Sequence, residues 1–264
     1  MALDHANRPK MNRIAPGVTC MLVAFASTVG FGAEQAVRAD NGAEMVLVPA
    51  GEFWMGSDDG SDDEKPRHHV DLDAYYIDRY EITNGLYQRF MEATNRAVPR
   101  FWSDSHLNGA SQPVVGVSWY DAERYCRWVG KRLATEAEWE KAARGDDGRT
   151  YPWGEQWDSS RANSKESQRN KPAPVGSYPS GVSPYGAYDM AGNVWEWVAD
   201  WHAKDYYERS PRRNPRGPET GAWKVLRGGS WGYLPSLLRT TSRLSILPDL
   251  RNTVIGFRCA NGIS

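Results

Sequence analysis

Cysteine and histidine side chains often bind metals or act in catalysis. The chain of 264 residues contains three cysteines and five histidines. His68 and His69 are adjacent at the entry to a predicted strand, where neighbouring side chains point to opposite faces. They could not easily bind one ion together. His5, His106 and His202 are isolated. We therefore interpret all five as surface or core histidines.

The cysteines suggest a cross-link. Cys20 lies in an apolar amino-terminal run, which leaves Cys126 and Cys259 in the body of the chain. Two such cysteines usually pair in an exported protein, and closing so long a loop stabilises a fold by about 4 to 5 kcal/mol. The alternative is two buried free thiols.

The amino-terminal segment 1–39 is interpreted as a signal peptide and leader. A short basic start at Met11 to Arg13 precedes the apolar, small residues Val18 to Phe31, a pattern typical of secretion. Met11 is a candidate true start. Cleavage is expected near Gly32 or after Ala39, with an uncleaved anchor as the alternative. The expected location is secreted or periplasmic, with no stable membrane span after cleavage.

Residues 40–264 are expected to form one globular domain. The chain carries 32 Lys and Arg against 33 Asp and Glu, a formal net charge of −1. This balance gives no general attraction to nucleic acid or anionic lipid. A peptide, protein or small molecule is the expected partner.

Regular structure is predicted mainly in the first half of this domain. The hydrophobic patterns of Glu44 to Gly51 and Val70 to Ile77 indicate strands. Thr83 is placed to cap a short amphipathic helix.

Two further helices are indicated by capping boxes, in which a hydroxyl residue precedes a carboxylate residue by three positions. The pairs are Ser118 with Asp121 and Thr135 with Glu138, and the second helix is expected to stop at Gly145.

From about residue 146 onward, Pro, Gly, Ser and Asn recur every few residues. Tryptophans are nevertheless frequent, and disordered segments are poor in large rings. We therefore expect a compact, loop-rich domain with an aromatic core. The tryptophans concerned are Trp153, Trp157, Trp195, Trp197, Trp201, Trp223 and Trp231.

Several ordered segments together resemble the sulfatase-modifying factor family, whose best-known members are the formylglycine-generating enzymes. The resemblance covers residues 44–260 and implies an α+β fold, a loop-rich variant of the C-type lectin fold with little regular secondary structure. Its main segments are MVLVPAGEFWMGS (45–57), PVVGVSWYDAERYCRWVGKRLATEAEWEKAARG (113–145), YPWGE (151–155), GNVWEW (192–197), VLRGGSW (225–231) and IGFRCA (255–260).

The resemblance implies a disulfide between Cys126 and Cys259. It also implies a calcium site at Asp189, Gly192, Val194 and Glu196. Asp189 and Glu196 would contribute carboxylates, and Gly192 and Val194 would contribute backbone carbonyls. Oxygen ligands of this kind suit Ca²⁺. The alternative is that Glu196 accepts hydrogen bonds from nearby backbone amides without a metal. A weaker second calcium site would begin at Asn163 and Ser164.

Copper is not expected. Formylglycine-generating enzymes bind Cu(I) through two cysteines shortly after the GGS motif, and thiolates suit that soft ion. Here the segment Gly232 to Arg243 contains no cysteine. Family members that form sulfoxides hold iron in an additional helical domain, so a role for iron is left open. A third subtype, from periplasmic siderophore maturation, oxidises a precursor without the copper cysteines.

No catalytic residue is assigned. Any reactive cleft is expected where six side chains would converge. Ser230 matches a serine beside the copper site of the catalytic members, whereas the others are chosen for their chemistry or position and could equally be core or loop-binding residues. The six are Trp195, Ser230, Trp231, Tyr233, Arg239 and Arg243.

Two hypotheses about function follow. The first is an exported, oxidoreductase-like or maturation enzyme acting on a peptide or small metabolite, without copper-dependent formylglycine generation. The second is a non-catalytic module that binds a peptide, glycan or protein through its carboxy-terminal surface. Leucines facing solvent in the segment 232–254 would favour binding, whereas an open polar pocket around Ser230 and Arg239 would favour an enzyme.

Overall fold

A computed structural model describes residues 42–263 and, in backbone only, Val37–Arg38. The remainder of the predicted leader, including its expected cleavage sites, lies outside the described residues. Cys20 and His5 also lie outside them.

The described residues form three β-sheets. A five-stranded antiparallel sheet has the order β1-β2-β5-β11-β6, a four-stranded sheet has the order β10-β7-β8-β9, and β3 pairs with β4. In the second sheet β10 runs parallel to β7, and the other pairs are antiparallel. The strands are β1 (Val37–Arg38), β2 (Glu44–Val48), β3 (Gly51–Met55), β4 (His68–Leu72), β5 (Tyr75–Asp78), β6 (Arg132–Leu133), β7 (Trp195–Trp201), β8 (Lys224–Arg227), β9 (Arg243–Ile246), β10 (Ile255–Phe257) and β11 (Cys259–Gly262).

Three α-helices follow the capping signals in the sequence. They are α1 (Asn84–Thr94), α2 (Trp119–Trp128) and α3 (Glu136–Arg144). The hydroxyl of Thr83 accepts the Leu86 amide at the start of α1. Both predicted capping boxes are present, and Gly145 ends α3. These predictions are confirmed.

The predicted strands need one correction. Val70 to Ile77 is not one strand, because the chain turns between β4 and β5 and the two strands join different sheets. Alternating hydrophobic residues continue through this turn, so their pattern did not reveal it. Between residues 146 and 263, regular structure is limited to the four strands of the second sheet, β11 and short 3-10 turns, in agreement with the loop-rich expectation.

The core is strongly aromatic, as expected. One cluster contains Trp195, Trp197, Tyr125 and Phe257, all at most 1% exposed. The disulfide between Cys126 and Cys259 lies in the same cluster and joins α2 to β11. The predicted pairing is therefore confirmed.

A buried ion network holds α3 against β8 and β9. Glu136 and Glu140 project from the same face of the helix, as residues four apart do. The Arg227 guanidinium lies 3.3 Å from Glu136 Oε1 and 2.5 Å from Glu140 Oε2. Arg243 donates to both oxygens of Glu136 at 2.6 and 2.8 Å. Burial alone would raise the pKa of Glu136, but Arg243 and Arg227 hold it below the usual range.

Within residues 42–263, no helix combines the length and the apolar character needed to cross a membrane.

Candidate functional site

The start of β7 and the loop 228–233 meet at the centre of the candidate site. The Gly192 amide donates to the Gly228 carbonyl at 2.7 Å, and the Trp231 amide donates to the Asn193 carbonyl at 2.9 Å. Gly192 has φ +88°, and a Cβ there would stand 2.4 Å from the Asn163 carbonyl oxygen. Only glycine permits this close approach of three chain segments.

Four of the six predicted cleft residues lie around this junction. Tyr233 meets Trp195 edge to face, with ring centroids 5.7 Å apart, and its amide donates to the Ser230 carbonyl at 3.0 Å. Trp231 packs against a neighbouring cluster that includes Val194. The indole N–H groups of Trp195 and Trp231 are buried without a hydrogen-bond partner in the described part of the chain. Ser230 itself is fully buried.

Arg239 and Arg243 do not add an open polar face to this group. Arg239 donates to both carboxylate oxygens of Glu64 at 2.7 and 2.9 Å and to the Ser236 carbonyl at 3.0 Å. Arg243 belongs to the ion network of α3 and also donates to the Asp63 carbonyl. Both guanidinium groups therefore fix loops through charge-assisted hydrogen bonds.

The turn 233–238 presents apolar side chains to solvent. Leu234 is 52% exposed and Leu237 39% exposed, whereas Leu238 is fully buried against Tyr151. A 3-10 turn over Pro235–Leu237 separates the outward leucines from the inward one. Leu247 and Leu250, further along, are also exposed. Side chains that project in this way suit binding better than catalysis.

The loop predicted to bind calcium has an unusual backbone. Asp189 and Asn193 adopt left-handed conformations with φ 59° and 58°, which Asp and Asn tolerate better than most residues. Asp189 is largely buried, and its Oδ2 accepts the Gly176 amide at 2.7 Å. Burial raises the pKa of Asp189 to about 6.

Three buried carboxylates surround this loop. Glu196 accepts from Arg258 at 2.7 Å on each oxygen and from the Trp139 indole at 2.9 Å. Glu81 accepts the Asn193 side-chain amide at 2.6 Å and the Val194 backbone amide at 3.2 Å. Burial, with the nearby charges of Asp189 and Glu196, raises the pKa of Glu81 well above its ordinary value.

A cation bound in this loop would compete with Arg258, which already donates to both oxygens of Glu196. The positive charge near this loop is the Arg258 guanidinium. It pairs with Glu196 and lies close enough to Glu81 and Asp189 to favour their charged forms. Among residues 42–263, no three His, Cys, Asp or Glu side chains are arranged to hold a metal by themselves. A calcium ion here would need the carbonyls of Gly192 and Val194, as the family resemblance implied.

The side chains of Asn163 and Ser164 mainly bind their own loop. Asn163 Nδ2 donates to the Lys171 carbonyl at 3.0 Å and to Asn193 Oδ1 at 3.1 Å, and its Oδ1 accepts the Ser167 hydroxyl at 2.9 Å. Ser164 caps the 3-10 turn Lys165–Ser167. The weaker second calcium site at these two residues stays a prediction.

Two residues of the site were not recognised in the sequence. Arg258 stands in the closing GFRC segment, and its pairing with Glu196 gives that carboxylate side-chain partners rather than the backbone amides considered above. Glu81 is the carboxylate that binds a backbone amide of the loop. It lies 113 residues before Val194, and a single sequence carries no signal for such a pairing.

The fold and these segments define a class of protein. The sequence matches the family described as "Sulfatase-modifying factor enzyme 1-like domain" over residues 31–263. The chain therefore belongs to this family, and its fold is the loop-rich, C-type-lectin-like α+β fold expected from the sequence.

Similarity extends to proteins with different names. A formylglycine-generating enzyme of Streptomyces coelicolor is 37% identical, over 86% of this chain and 91% of that enzyme. A serine/threonine-protein kinase, pkn1, of Chlamydia caviae is 41% identical over 83% of this chain, which spans 38% of the kinase's length. The structure of PvdO from Pseudomonas aeruginosa superimposes with a TM-score of 0.75 at 30% sequence identity. The match covers 88% of this chain and 100% of the PvdO chain.

Proposed function

We propose that this protein is a non-catalytic binding module that recognises an extended apolar peptide through the turn 233–238. The observation that carries the proposal is the exposure of Leu234 and Leu237 beside the half-buried Tyr233. These three side chains lie within one short turn, and an apolar partner that covered them would gain hydrophobic free energy.

The surroundings of Ser230 support binding over copper-dependent formylglycine generation. The segment Gly232 to Arg243 contains no cysteine, and Cys126 and Cys259 are joined to each other. The Ser230 side chain is buried, and the two nearby arginines of the segment already bind carboxylates. Among residues 42–263, the polar depression that Arg239 borders does not include Ser230.

We further propose that Ca²⁺ orders the loop 189–196. Asp189 and Glu196 would contribute carboxylate oxygens, Gly192 and Val194 their carbonyls, and Glu81 would add negative charge from behind the loop. The burial of the Asp189 and Glu81 carboxylates beside the loop supports this assignment, and Glu196 would exchange part of its pairing with Arg258 for the ion. The ion would stabilise the loop and supply no reaction chemistry.

Export to a secreted or periplasmic location is part of the same proposal. The disulfide supports it, because such bonds persist mainly in oxidising compartments.

The alternative is an oxidoreductase-like or maturation role on a peptide or small metabolite. Its support is the similarity over most of the chain to a protein named as a formylglycine-generating enzyme. The indole N–H groups of Trp195 and Trp231 lack partners in the described residues, and because both are buried an acceptor would reach them only after the surrounding side chains moved.

Selection from a random peptide library displayed on phage tests the proposal. We expect enriched peptides to carry apolar side chains and to bind the wild-type protein. Replacing Leu234 and Leu237 together by Ser should weaken them about 30-fold, since each leucine loses part of its burial free energy. Leu247→Ser is the matched control, because Leu247 is 56% exposed but lies outside the turn.

Equal binding by the double variant, or no enrichment at all, would contradict the proposal. A parallel reaction separates the enzyme hypothesis. The protein is incubated with Cu(I), oxygen and a cysteine-containing peptide, and the peptide mass is followed. We expect the cysteine to remain intact, and conversion to formylglycine would overturn the non-catalytic assignment.

A further inference from the structure

A second surface feature lies at the tight turn 151–154. Tyr151 and Gly154 exchange both backbone hydrogen bonds, at 2.8 and 3.0 Å, and Trp153 stands at the tip of the turn. The Trp153 ring is nearly parallel to that of Tyr151, with an interplanar angle of 9° and centroids 5.4 Å apart. Tyr151 is buried and so provides a fixed base for the partly exposed Trp153 ring.

Trp157 completes a three-ring cluster. Its centroid lies 5.2 Å from that of Tyr151 and 5.6 Å from that of Trp153, and the two indoles are tilted by 50°. The Trp153 N–H donates to the Gln156 carbonyl at 2.9 Å, and the Trp157 N–H donates to Glu166 Oε2 at 2.7 Å. Because both N–H groups are already bonded, the indoles are held in place and offer only their faces to a ligand.

The two indoles border an open surface depression of about 620 Å³. Both are partly exposed, and polar side chains surround them. This rim combines carboxylates with a guanidinium, an amide and a hydroxyl, so it can both donate and accept hydrogen bonds. The rim residues are Glu155, Gln156, Asp158, Ser159 and Arg161.

The same protein shows how two indoles hold a cation. Lys224 Nζ lies 3.9 Å from the ring centroids of both Trp119 and Trp201, which are 6.4 Å apart and nearly parallel. Trp153 and Trp157 are closer together and tilted, so no ammonium group fits between them in this way. Arg161 on the rim further opposes a cation, and the carboxylates oppose an anion.

An uncharged, polyhydroxylated ligand meets these conditions. The C–H groups on the face of a pyranose ring carry small positive charges and pack on the negative face of an indole. Its hydroxyl groups would bond to a rim of mixed donors and acceptors. The two indole centroids lie 5.6 Å apart and the ring planes are tilted by 50°, so successive sugars of a twisted chain, such as a β-1,4-linked one, would each meet one indole.

We propose that Trp153 and Trp157 form a platform that binds a β-1,4-linked oligosaccharide, with successive sugars stacked on the two indoles. The two indoles are not part of the peptide-binding turn, but Tyr151 beneath them donates to the Pro235 carbonyl of that turn at 3.3 Å. Each platform variant is therefore also tested for peptide binding, which it should retain.

Isothermal titration with cellohexaose, chitohexaose, xylohexaose and mannohexaose tests the platform on the whole protein. We expect at least one of them to bind at micromolar to millimolar concentration. Trp153→Ala and Trp157→Ala should each weaken binding about 10-fold or more, equivalent to about 1.4 kcal/mol. Trp223→Ala is the matched control, because Trp223 is 50% exposed and lies outside the platform.

Several results would overturn the assignment. They are no binding of any of the four sugars, binding that both platform variants retain, and binding of tetramethylammonium chloride to the platform in place of the sugars. Thermal unfolding of each variant checks its fold. If an alanine variant is unfolded, Trp157→Phe replaces it, and this variant should retain the fold and bind more weakly than wild type.

Discussion

Removing the disulfide between Cys126 and Cys259 should cost a large part of the stability of the fold. The two cysteines are 133 residues apart, and the bond restricts the unfolded chain over that whole loop. The chain-entropy relation gives about 5 kcal/mol at 25 °C for a loop of this length. Since domains are typically stable by only about 5 to 15 kcal/mol, the expected loss is severe.

Urea unfolding at equilibrium measures this loss. Wild type is compared with Cys126→Ala and with the double variant Cys126→Ala, Cys259→Ala. Both variants lack the cross-link, but they differ by one buried sulfur. We therefore expect both to lose about 4 to 5 kcal/mol and to differ from each other by no more than about 1 kcal/mol.

Two results would refute this reasoning. If the single variant matched wild type within about 1 kcal/mol, the unfolded chain would not be restricted by the bond as the entropy relation requires. If only the double variant lost stability, the effect would come from packing of the sulfur atoms.

Three further predictions concern buried charges. Arg227→Met should destabilise the protein by about 3 to 5 kcal/mol in urea unfolding, because it leaves the buried Glu136 and Glu140 without this partner. The control is Arg213→Met, at an exposed ion pair, which should cost less than about 1 kcal/mol. Equal losses of stability in the two variants would contradict a buried network. Asp200 is buried, which with Glu136 raises its pKa to about 8. Folding therefore favours the protonated form, and the stability of wild type relative to Asp200→Asn should fall by about 1.4 kcal/mol per pH unit as pH rises from about 5 to about 8; a pH-independent difference would contradict this. In thermal unfolding, calcium at 100 times its dissociation constant should stabilise wild type by about 2.7 kcal/mol. It should stabilise the Asp189→Asn variant much less. An equal gain in stability for both proteins would show that the ion binds elsewhere.

Local signals in the sequence were sufficient for the helices, whereas the class of fold followed from the resemblance to a known family. Thr83, Ser118 and Thr135 each precede a helix, and each side chain accepts a backbone N–H group from the first turn of that helix. These interactions span only a few residues, and so a single sequence reveals them. The turn between β4 and β5 was missed because its hydrophobic pattern continues across the turn.

The candidate site was only partly predictable, since its partners are far apart in the chain. Ser230, Trp231 and Tyr233 follow one another, and their meeting with Trp195 was anticipated. The partners of Arg239 and Arg243 are Glu64, 175 residues away, and Glu136, 107 residues away. Charge alone offers many acceptable partners, so only the fold selects among them.

Amide hydrogen exchange, read by mass spectrometry on the protein with a selected peptide, tests the central proposal most directly. Binding through the exposed turn predicts slower exchange at residues 233–238 and recovery of the peptide with its mass unchanged. Protection elsewhere with none at this turn, or a chemically altered peptide, would contradict a non-catalytic module that binds through Leu234 and Leu237.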